Sequence, residues 1–379
     1  MWIAIALWAA SLAAIVYTYV GYPLLLIVLG RLRRRAVLPP LSPLPTVSMI
    51  VPVFNEMAVL PAKLANVAAL RYPAGRLDVC FVSDGSTDGT TELLQRHTGP
   101  QFRVETLPGR SGKAAGLNAG LAQATGEIVL FTDASILLAE DAVEALVAEF
   151  ADPDVGCVSG EDRIAGASGE GLYGRYELAI RRLESAVSSI VGASGSIYAM
   201  RRGLCHPFPA TLAPDFWSVL RCVEQGSRAV STPKAIGSMT AVTSVQDEFS
   251  RKVRTLVRGM TTLGAHAGLL NVFRYGFFAV ELWSHKVLRW LVPLFLAIAL
   301  LANLVLLGHG WFFVGTAAAQ AIAYLLTLAA LVSPGLAARS RLASACLIFM
   351  TANAAAAVAA LRYLRGFRQE LWTPSRRDT

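Results

Sequence analysis

The stretch Ile128–Leu138, IVLFTDASILL, predicts a buried strand that ends abruptly at a carboxylate. Its first four residues are apolar without interruption, which is typical of a parallel strand covered on both faces. Asp133 follows this run, and ligands in open α/β sheets bind beyond such carboxyl ends of strands. Asp133 is therefore either a solvated loop residue or a ligand for a metal ion and phosphates, and the other strand ends must distinguish the two.

The composition of the chain is that of a membrane protein. Of its 379 residues, 54% are hydrophobic and only 16% are charged, which is too apolar for an ordinary soluble chain. Residues 2–29 contain no Asp, Glu, Lys or Arg, and the basic run Arg31–Arg35 follows them. A cleaved signal peptide would carry its charge before the apolar run. We therefore expect a retained anchor whose C-terminal end lies in the cytoplasm.

Patterning divides the chain into six predicted parts. Strands alternating with amphipathic helices predict one α/β domain after a proline-rich linker, and the uncharged residues 290–338 predict further membrane helices. The parts are an N-terminal transmembrane helix (1–30), a basic and Pro-rich linker (31–45), an α/β domain (46–244), amphipathic interfacial helices (245–285), about three C-terminal transmembrane helices (286–364) and a basic tail (365–379).

The charge of the tail conflicts with this count of membrane spans. With a cytoplasmic α/β domain, three later crossings near 290–307, 311–332 and 342–361 would place the C-terminus outside. The tail's arginines favour the cytoplasm by the positive-inside rule. The conflict disappears if Leu269–Trp283 also crosses the membrane or if one later span is re-entrant. The arginines concerned are Arg362, Arg365, Arg368, Arg376 and Arg377.

Two further segments of the α/β domain place polar groups beside Asp133. The predicted strand Leu77–Ser83 ends at Asp84, where a carboxylate can accept hydrogen bonds from a nucleotide base or ribose. The nearby Asp88 is equally well explained as a helix cap. The basic, glycine-rich segment Arg110–Asn118 could bring backbone amides and a lysine to phosphate, although it lacks the spacing of a P-loop.

The order of these motifs resembles the family 2 glycosyltransferases, membrane-anchored inverting enzymes with a GT-A fold, and particularly their polysaccharide-synthase-like branch. The resemblance extends from Val47 to about Gly259. It implies a Rossmann-like α/β GT-A catalytic domain accompanied by transmembrane α-helices. The motifs are VSMIVPVFNE (47–56), VSDGSTDGT (82–90), GKAAGLNAG (112–120), FTDAS (131–135) and TLAPDFWSVLRCVEQG (211–226).

The resemblance implies a nucleotide-sugar site at the strand ends. Asp84 matches the aspartate that contacts the uracil of the donor, and Lys113 matches a basic residue of the nucleotide pocket. The loop after the first strand, Val47–Val53, contributes to the same site. The nucleotide-sugar-binding residues that we predict are Pro52, Asn55, Glu56, Asp84, Lys113, Asp133 and Arg254.

A divalent metal ion, Mg²⁺ or Mn²⁺, is also implied. Asp133 matches the first aspartate of the DxD motif, which holds the metal on the sugar-nucleotide diphosphate. Ser135 stands where many members have the second aspartate, so one negative ligand is missing. Ions of this kind use few carboxylates together with waters and substrate phosphates. We predict metal ligands at Asp133 and Ser135.

Asp215 is the predicted catalytic base. It matches the acceptor-activating aspartate of the family, although Pro214 replaces the glutamate that usually precedes it. Inverting transfer needs a carboxylate that takes the proton of the acceptor hydroxyl. Asp215 could also cap the helix that follows, and the two roles are compatible. The small residues of 191–196 match the loop that lines the acceptor site, so Gly192, Ser194 and Gly195 are predicted there.

The predicted helix after the α/β domain carries basic residues among apolar ones. Processive relatives have QxxRW in this region, whereas this chain has Arg251–Thr255, which retains an arginine at Arg254 but lacks the tryptophan. Arg254 can still serve the leaving diphosphate, whereas processivity is in doubt. Lys252 and Arg258 are equally well explained by contacts with anionic membrane lipids.

Together these patterns predict an integral protein of the cell (inner) membrane with a cytoplasmic catalytic domain. We expect it to transfer a sugar from a nucleotide sugar, UDP-linked by resemblance, to a hydroxyl of a lipid-linked or growing glycan acceptor. No nucleic acid is expected, because the juxtamembrane clusters and the tail explain the net charge of +8. Two alternatives remain: a polyprenyl-phosphate sugar synthase, and a catalytically silent nucleotide-sugar-binding partner of a membrane synthase.

Overall fold

The computed structural model describes residues 1–33, 38–99, 101–165, 171–240 and 245–368. The chain forms two compact units. The helical unit comprises Met1–Leu25, Val245–Met260 and Val280–Phe367, and the sheet unit comprises Leu26–Ser244, Thr261–Ala279 and Arg368–Thr379. Arg34 and Arg35 of the basic run, and Arg376 and Arg377 of the tail, lie outside the described residues.

The sheet unit is built on a single mixed sheet. In the described chain its spatial strand order is β3-β2-β1-β4-β7-β6-β8-β5. Strands β1 to β4 pair in parallel, whereas β7 runs antiparallel to its neighbours β4 and β6. The strands are β1 Val47–Val53, β2 Leu77–Asp84, β3 Phe102–Leu107, β4 Ile128–Thr132, β5 Leu137–Leu138, β6 Val155–Ala165, β7 Ile197–Arg201 and β8 Arg228–Thr240.

Helices cover the sheet and form the helical unit. In the described chain the α-helices are α1 Trp2–Val16, α2 Tyr22–Leu32, α3 Leu60–Ala68, α4 Thr90–Gln95, α5 Lys113–Gln123, α6 Ala142–Ala148, α7 Gly171–Val187, α8 Pro214–Glu224, α9 Val245–Ala265, α10 Val272–Leu282, α11 Leu288–Leu306, α12 Trp311–Val332, α13 Pro334–Arg339 and α14 Arg341–Leu364. Short π-helical segments, Tyr17–Gly21 and Trp283–Val287, join α1 to α2 and α10 to α11.

The parallel half of the sheet brings the predicted strand ends to one edge. Val53 of β1 pairs with Ser83 of β2, and β4 pairs with β1 on its other side. The apolar strand β4 is fully buried, as its sequence predicts. The carboxyl ends of β1, β2 and β4 therefore lie side by side, and the loops that follow them form one rim.

Helix α5 lies unusually close to this sheet because it carries glycines on its inner face. A methyl group added at Gly120 would come within 2.5 Å of Cγ2 of Ile50, and one at Gly116 would come within 3.3 Å of Cβ of Pro52. A larger side chain at Gly120 would overpack this contact. The close approach sets Lys113, the first residue of α5, at the rim.

Four described helices are long and apolar enough to cross a membrane: Trp2–Leu32, Val272–His309, Trp311–Val332 and Arg341–Leu364. The stretches near 290–307, 311–332 and 342–361, predicted as spans from sequence, lie within the last three of these helices. The π-helical segments meet inside the helical unit, where the Tyr17 hydroxyl and the Ser284 hydroxyl are 2.9 Å apart. Such paired hydroxyls satisfy each other away from water.

The second candidate span begins earlier than the sequence predicts. Helical structure starts at Val272 rather than at residue 286, and it continues to His309 over 38 residues. A bilayer crossing needs about 20 helical residues, so this stretch contains more residues than one crossing needs. Gly276, with φ of 54°, interrupts its first turns. Residues 272–283 therefore belong to the same candidate span as the helix that follows them.

Helix α9 has the predicted amphipathic pattern, but its apolar stripe is covered by protein. Val253, Val257 and Met260 are buried and pack against Ala355 and Ala359 of α14. Residues at this spacing share one helix face, and alanines on the partner helix permit close packing. The apolar face of α9 is thus part of the helical unit's own core.

Candidate active site

Two neighbouring clefts open at the rim of the sheet unit, and they share Lys113 and Asp133. The β1 cleft is lined by Pro52, Val53, Phe54, Glu56, Asp84, Lys113, Asp133, Ala134 and Ser135. The α8 cleft is lined by Lys113, Leu117, Phe131, Thr132, Asp133, Gly195, Tyr198, Pro214 and Asp215.

Lys113 and Asp133 form an ion pair where the two clefts meet. The Lys113 ammonium donates to Oδ1 of Asp133 at 2.5 Å and to the backbone carbonyl of Gly195 at 3.1 Å. Both side chains are partly shielded, with exposed fractions of 15% and 22%. A charged pair at this degree of burial is screened less than a surface pair. The pair places one positive and one negative group beside both clefts.

Asp84 binds the backbone of the loop that precedes α5. It is the last residue of β2 and only 5% exposed. Its two carboxylate oxygens accept the backbone N–H groups of Ser111 and Gly112, at 2.6 and 2.7 Å. Gly112 has φ of 94°, a conformation that favours glycine. Asp84 therefore fixes the loop that presents Lys113, and a carboxylate oxygen retains a second lone pair for a ligand in the β1 cleft.

The three residues predicted in the loop after β1 have different placements. Pro52 and Glu56 line the β1 cleft. Asn55 is exposed and adopts φ of 52°. Its side-chain carbonyl accepts the N–H of Thr87 at 2.8 Å, and its own N–H donates to the hydroxyl of Ser86 at 3.2 Å. Asn55 thus joins the loops after β1 and β2, on the outside of the cleft.

The neighbouring Asp88 has the structural role that its sequence context allowed. One carboxylate oxygen accepts from the N–H and the hydroxyl of Thr90, at 3.1 and 2.6 Å. The other accepts the N–H of Met57 at 3.0 Å. These bonds satisfy donors at the start of α4, and Asp88 lines neither cleft.

Sequence reasoning missed an aromatic and cationic pair at the mouth of the β1 cleft. The guanidinium of Arg110 lies 4.3 Å from the ring centroid of Phe54, which lines the cleft. Such stacking is favourable, and it leaves flat surfaces suited to a planar base. The signal was present in the sequence, since Phe54 directly follows a strand and Arg110 begins the basic segment before α5.

Asp215 faces the α8 cleft from the first turn of α8. Ala213 occupies the N-cap position of this helix, and Asp215 is its second residue. Asp215 is therefore not the N-cap residue that the sequence also allowed. The N–H of Ala213 donates to the hydroxyl of Thr262 at 2.9 Å, which fixes the start of the helix. The side chain of Asp215 is thus held on a rigid element beside Lys113 and Asp133.

The three residues predicted at the acceptor site divide into one that lines the α8 cleft and two that do not. Gly195 lines it, and a methyl group added there would lie 3.7 Å from the carboxyl carbon of Asp215. Ser194 is 2% exposed, and its hydroxyl lies 2.7 and 2.8 Å from the two carboxylate oxygens of Asp162. Gly192 is part-buried and lines neither cleft.

Asp162 is a further carboxylate close to these groups. Burial raises its pKa, and the negative charges of Asp133 and Asp215 raise it further, whereas the Ser194 hydroxyl and Arg181 act in the opposite direction. Asp162 and Ser194 together hold the loop that contains Gly195. A loop contact of this kind has no local sequence signature, so the sequence alone does not reveal this role of Asp162.

Replacing Gly195 with alanine should narrow the α8 cleft without disturbing the fold. The added methyl group would make ordinary van der Waals contact with the Asp215 carboxylate. We expect the KM for the acceptor to rise several-fold while donor binding and the melting temperature stay unchanged. Steady-state kinetics at saturating donor would measure this. Gly203→Ala, where no atom lies within 4 Å of the added group, is the matched control, and equal kinetics for both variants would contradict the assignment.

The donor set at the rim fits a hard divalent cation that also binds substrate oxygens. Within the described residues, no group of three His, Cys, Asp or Glu side chains is placed to hold a metal ion. Asp133 and Ser135 both line the β1 cleft and carry a carboxylate and a hydroxyl. Mg²⁺ and Mn²⁺ favour oxygen ligands and commonly bind through one or two carboxylates together with substrate phosphates. The residues present therefore suit a metal that arrives with a diphosphate.

Arg254 lies on α9 in the helical unit. Burial lowers the pKa of its guanidinium, and the neighbouring Arg251 lowers it further. Two like charges on one partly buried helix face favour an anionic partner. Its predicted role toward a diphosphate stays a prediction.

Known glycosyltransferases are similar to this chain in sequence. Residues 48–198 match the family model described as Glycosyl transferase family 2. An N-acetylglucosaminyltransferase of Rhizobium meliloti (strain 1021) is 38% identical over 123 residues, 31% of this chain and 29% of that protein. A poly-beta-1,6-N-acetyl-D-glucosamine synthase of Staphylococcus aureus (strain COL) is 32% identical over 124 residues, 32% of this chain and 30% of that protein. These matches span less than a third of either relative.

A solved structure resembles nearly the whole chain. It is a mannosyltransferase from Pyrobaculum calidifontis in complex with GDP-Man and Mn²⁺, with a TM-score of 0.72 and 26% identity. The similarity covers 94% of this chain and 99% of that one. It confirms the predicted GT-A fold class with its accompanying helices. The motif order and these similarities together identify residues 48–198 as a glycosyl transferase family 2 domain.

Proposed function

We propose that this chain is an inverting membrane glycosyltransferase that transfers a sugar from a nucleoside diphosphate sugar to a hydroxyl of a lipid-linked or growing polysaccharide acceptor. The observation that supports this most strongly is the pair of clefts joined at Lys113 and Asp133. One cleft has the groups that a nucleotide diphosphate needs. The other has Asp215, the group that an acceptor hydroxyl needs.

The β1 cleft suits the nucleotide. Phe54 and Arg110 offer a stacked surface for the base, and Asp84 offers a carboxylate oxygen for its polar edge. Lys113 can pair with the diphosphate, because its ammonium is a compact point charge on a flexible stem. In this structure the Lys113 ammonium pairs with Asp133. Donor binding would then exchange this internal ion pair for contacts with phosphate oxygens.

Asp133 and Ser135 would hold the divalent metal. When bound, the ion supplies positive charge that stabilises the departing diphosphate. Mn²⁺ in the similar mannosyltransferase supports a divalent ion here. The metal is Mg²⁺ or Mn²⁺, since both accept the oxygen ligands that these two side chains provide.

Asp215 would act as the general base in the α8 cleft. Its carboxylate takes the proton as the O–H bond of the acceptor breaks, and the acceptor oxygen forms the new bond to the anomeric carbon. The bond from that carbon to the diphosphate oxygen breaks in the same displacement, so the nucleoside diphosphate leaves. Attack from the side opposite the leaving group inverts the configuration. A base on a helix turn beside the Lys113–Asp133 pair supports this direct displacement.

The donor nucleotide has two candidates. Sequence motifs favour a UDP-linked donor, and the names of the two relatives suggest an N-acetylglucosaminyl group. The mannosyltransferase that matches along nearly its whole length is bound to GDP-Man, which favours a GDP-linked donor. We place a UDP-linked donor first, because Asp84 stands in the motif that contacts uracil in the family, and keep GDP-mannose as the second.

We place the catalytic domain on the cytoplasmic side of the cell (inner) membrane. Arg31 and Arg33 directly follow the first apolar stretch, and positive residues stay on the cytoplasmic side. An acceptor attached to a lipid would reach a domain anchored in this way without leaving the membrane. Membrane lipids would therefore be partners of this protein whether its acceptor is lipid-linked or a growing polysaccharide.

Nucleotide release tests the proposed function. Purified protein in lipid is given a panel of UDP- and GDP-linked sugars with Mn²⁺ or Mg²⁺ and a membrane lipid extract as acceptor. We expect metal-dependent release with one donor, and no release from Asp133→Ala. Absence of release with every donor would overturn the proposal and favour a silent nucleotide-sugar-binding partner.

A further inference from the structure

Lys63 is a fully buried lysine behind the turn that presents Asp133. It lies on α3 and has an exposed fraction of 0%. Its ammonium donates to the backbone carbonyl of Ile136 at 2.8 Å and to the hydroxyl of Thr132 at 3.3 Å. Burial lowers the pKa of Lys63 to about 7, against the opposing effect of Asp133. The mechanism above makes no use of this group.

A lysine at this position is costly for the fold alone. Its neighbours on the inner face of α3 are Leu60, Leu64 and Val67, which are 0%, 7% and 4% exposed. Burying an amine requires hydrogen-bond partners, whereas an apolar side chain would need none. An apolar residue would therefore stabilise this core better, and the presence of lysine points to a task other than packing.

The two bonds of Lys63 hold both ends of one five-residue turn. Thr132 ends β4, and Ile136 closes the turn through its N–H, which donates to the carbonyl of Asp133 at 3.4 Å. The N–H of Asp133 donates to the carbonyl of Ser196 at 3.2 Å. Ala134 is 2% exposed. The hydrogen bonds from Lys63 and to Ser196 thus fix the turn, while Asp133 and Ser135 line the β1 cleft.

We propose that Lys63 is a positioning residue that fixes the 132–136 turn so that Asp133 and Ser135 are preorganised for a metal-bound diphosphate. This inference rests on the proposed function, because it assigns the metal to that turn. One carboxylate and one hydroxyl bind a metal ion more weakly than two carboxylates do. The orientation of these two ligands therefore matters more for metal affinity than in a site with two carboxylates.

Charge and positioning make opposite predictions for Lys63. A cation near Asp133 repels a metal ion, so its removal should tighten metal binding if charge alone matters. Loss of the two hydrogen bonds should loosen the turn and weaken metal binding. Lys63→Met removes both the charge and the donor at similar volume, whereas Lys63→Gln removes the charge but keeps a neutral donor.

The test measures Mn²⁺ binding directly. Free Mn²⁺ is followed by electron paramagnetic resonance while the ion is titrated into full-length protein in lipid, with UDP or GDP present. We expect the apparent Kd for Mn²⁺ to rise about 10- to 100-fold in Lys63→Met. The apparent Kd of Lys63→Gln should lie much closer to the wild-type value, because glutamine keeps a hydrogen-bond donor. Val67→Ala, on the same buried face of α3, should destabilise the fold while leaving the Kd unchanged.

The possible outcomes separate this inference from the proposed function. Unchanged or tighter Mn²⁺ binding in Lys63→Met, with normal binding in wild type, would overturn the positioning role and leave the function intact. The same weakening in Val67→Ala at equal loss of melting temperature would also overturn it, because general destabilisation would then explain both. Wild-type protein without nucleotide-dependent Mn²⁺ binding would contradict the proposed function and this inference with it.

Discussion

Asp215→Asn is expected to lower sugar transfer about 10²- to 10⁴-fold, the range typical for loss of a positioned general base. Asparagine retains the size of the side chain but cannot take the proton of the acceptor hydroxyl. Asp215 lies in the first turn of α8 and lines the α8 cleft only. Donor binding in the β1 cleft should therefore remain as in wild type.

Two measurements on the same preparation check this expectation. Transfer to a membrane lipid extract gives the rate, and calorimetric titration of the nucleoside diphosphate with Mn²⁺ gives donor affinity. Asp154→Asn, an exposed aspartate in the turn before β6, serves as the control for carboxylate removal. If transfer persists nearly undiminished in Asp215→Asn, Asp215 is not the general base. Such a result would favour an acceptor phosphate, as in a polyprenyl-phosphate sugar synthase.

Asp133→Asn is expected to weaken metal-dependent donor binding at least about 30-fold, the equivalent of losing one member of a partly buried charged contact. Asp133 is the one carboxylate of the predicted metal pair, and it also neutralises Lys113 at 2.5 Å. The variant loses the metal ligand and leaves Lys113 without this counter-ion. Metal-independent binding of the nucleoside diphosphate should persist and could increase.

Calorimetry with and without Mn²⁺ separates these effects. The expected pattern is a large loss of affinity when Mn²⁺ is present and little loss in its absence. Ser135→Ala should cost much less, because a neutral hydroxyl contributes less to a divalent ion than a carboxylate. If Asp133→Asn retains full Mn²⁺-dependent affinity, the metal does not bind at this turn.

The sequence predicted the site as far as strand ends and local motifs determine it. Asp84 and Asp133 converge because the apolar strands before them, β2 and β4, lie parallel to β1 on its two sides. Parallel pairing follows from the alternation of strands and helices. Asp215 joined the same site only through the resemblance to a family. Its distance along the chain gives no local reason for it to face Asp133.

What the sequence did not predict depends on contacts between distant segments. The hydroxyl of Ser194, in the loop before β7, contacts Asp162 on β6, and the sequence gives no sign of this contact. The hydrogen-bond partners of Lys63 are Thr132 and Ile136, about 70 residues later in the chain, so no local pattern around Lys63 predicts them. The apolar stripe of α9 was expected at the membrane surface, and its burial depends on α14.

The anomeric configuration of the product tests the central claim most directly. The donor identified by the release panel is supplied with acceptor, and nuclear magnetic resonance of the product gives the coupling constant at the transferred sugar's anomeric carbon. Direct displacement assisted by Asp215 predicts a configuration opposite to that of the donor. A product with the donor's configuration would contradict the single displacement and the role assigned to Asp215.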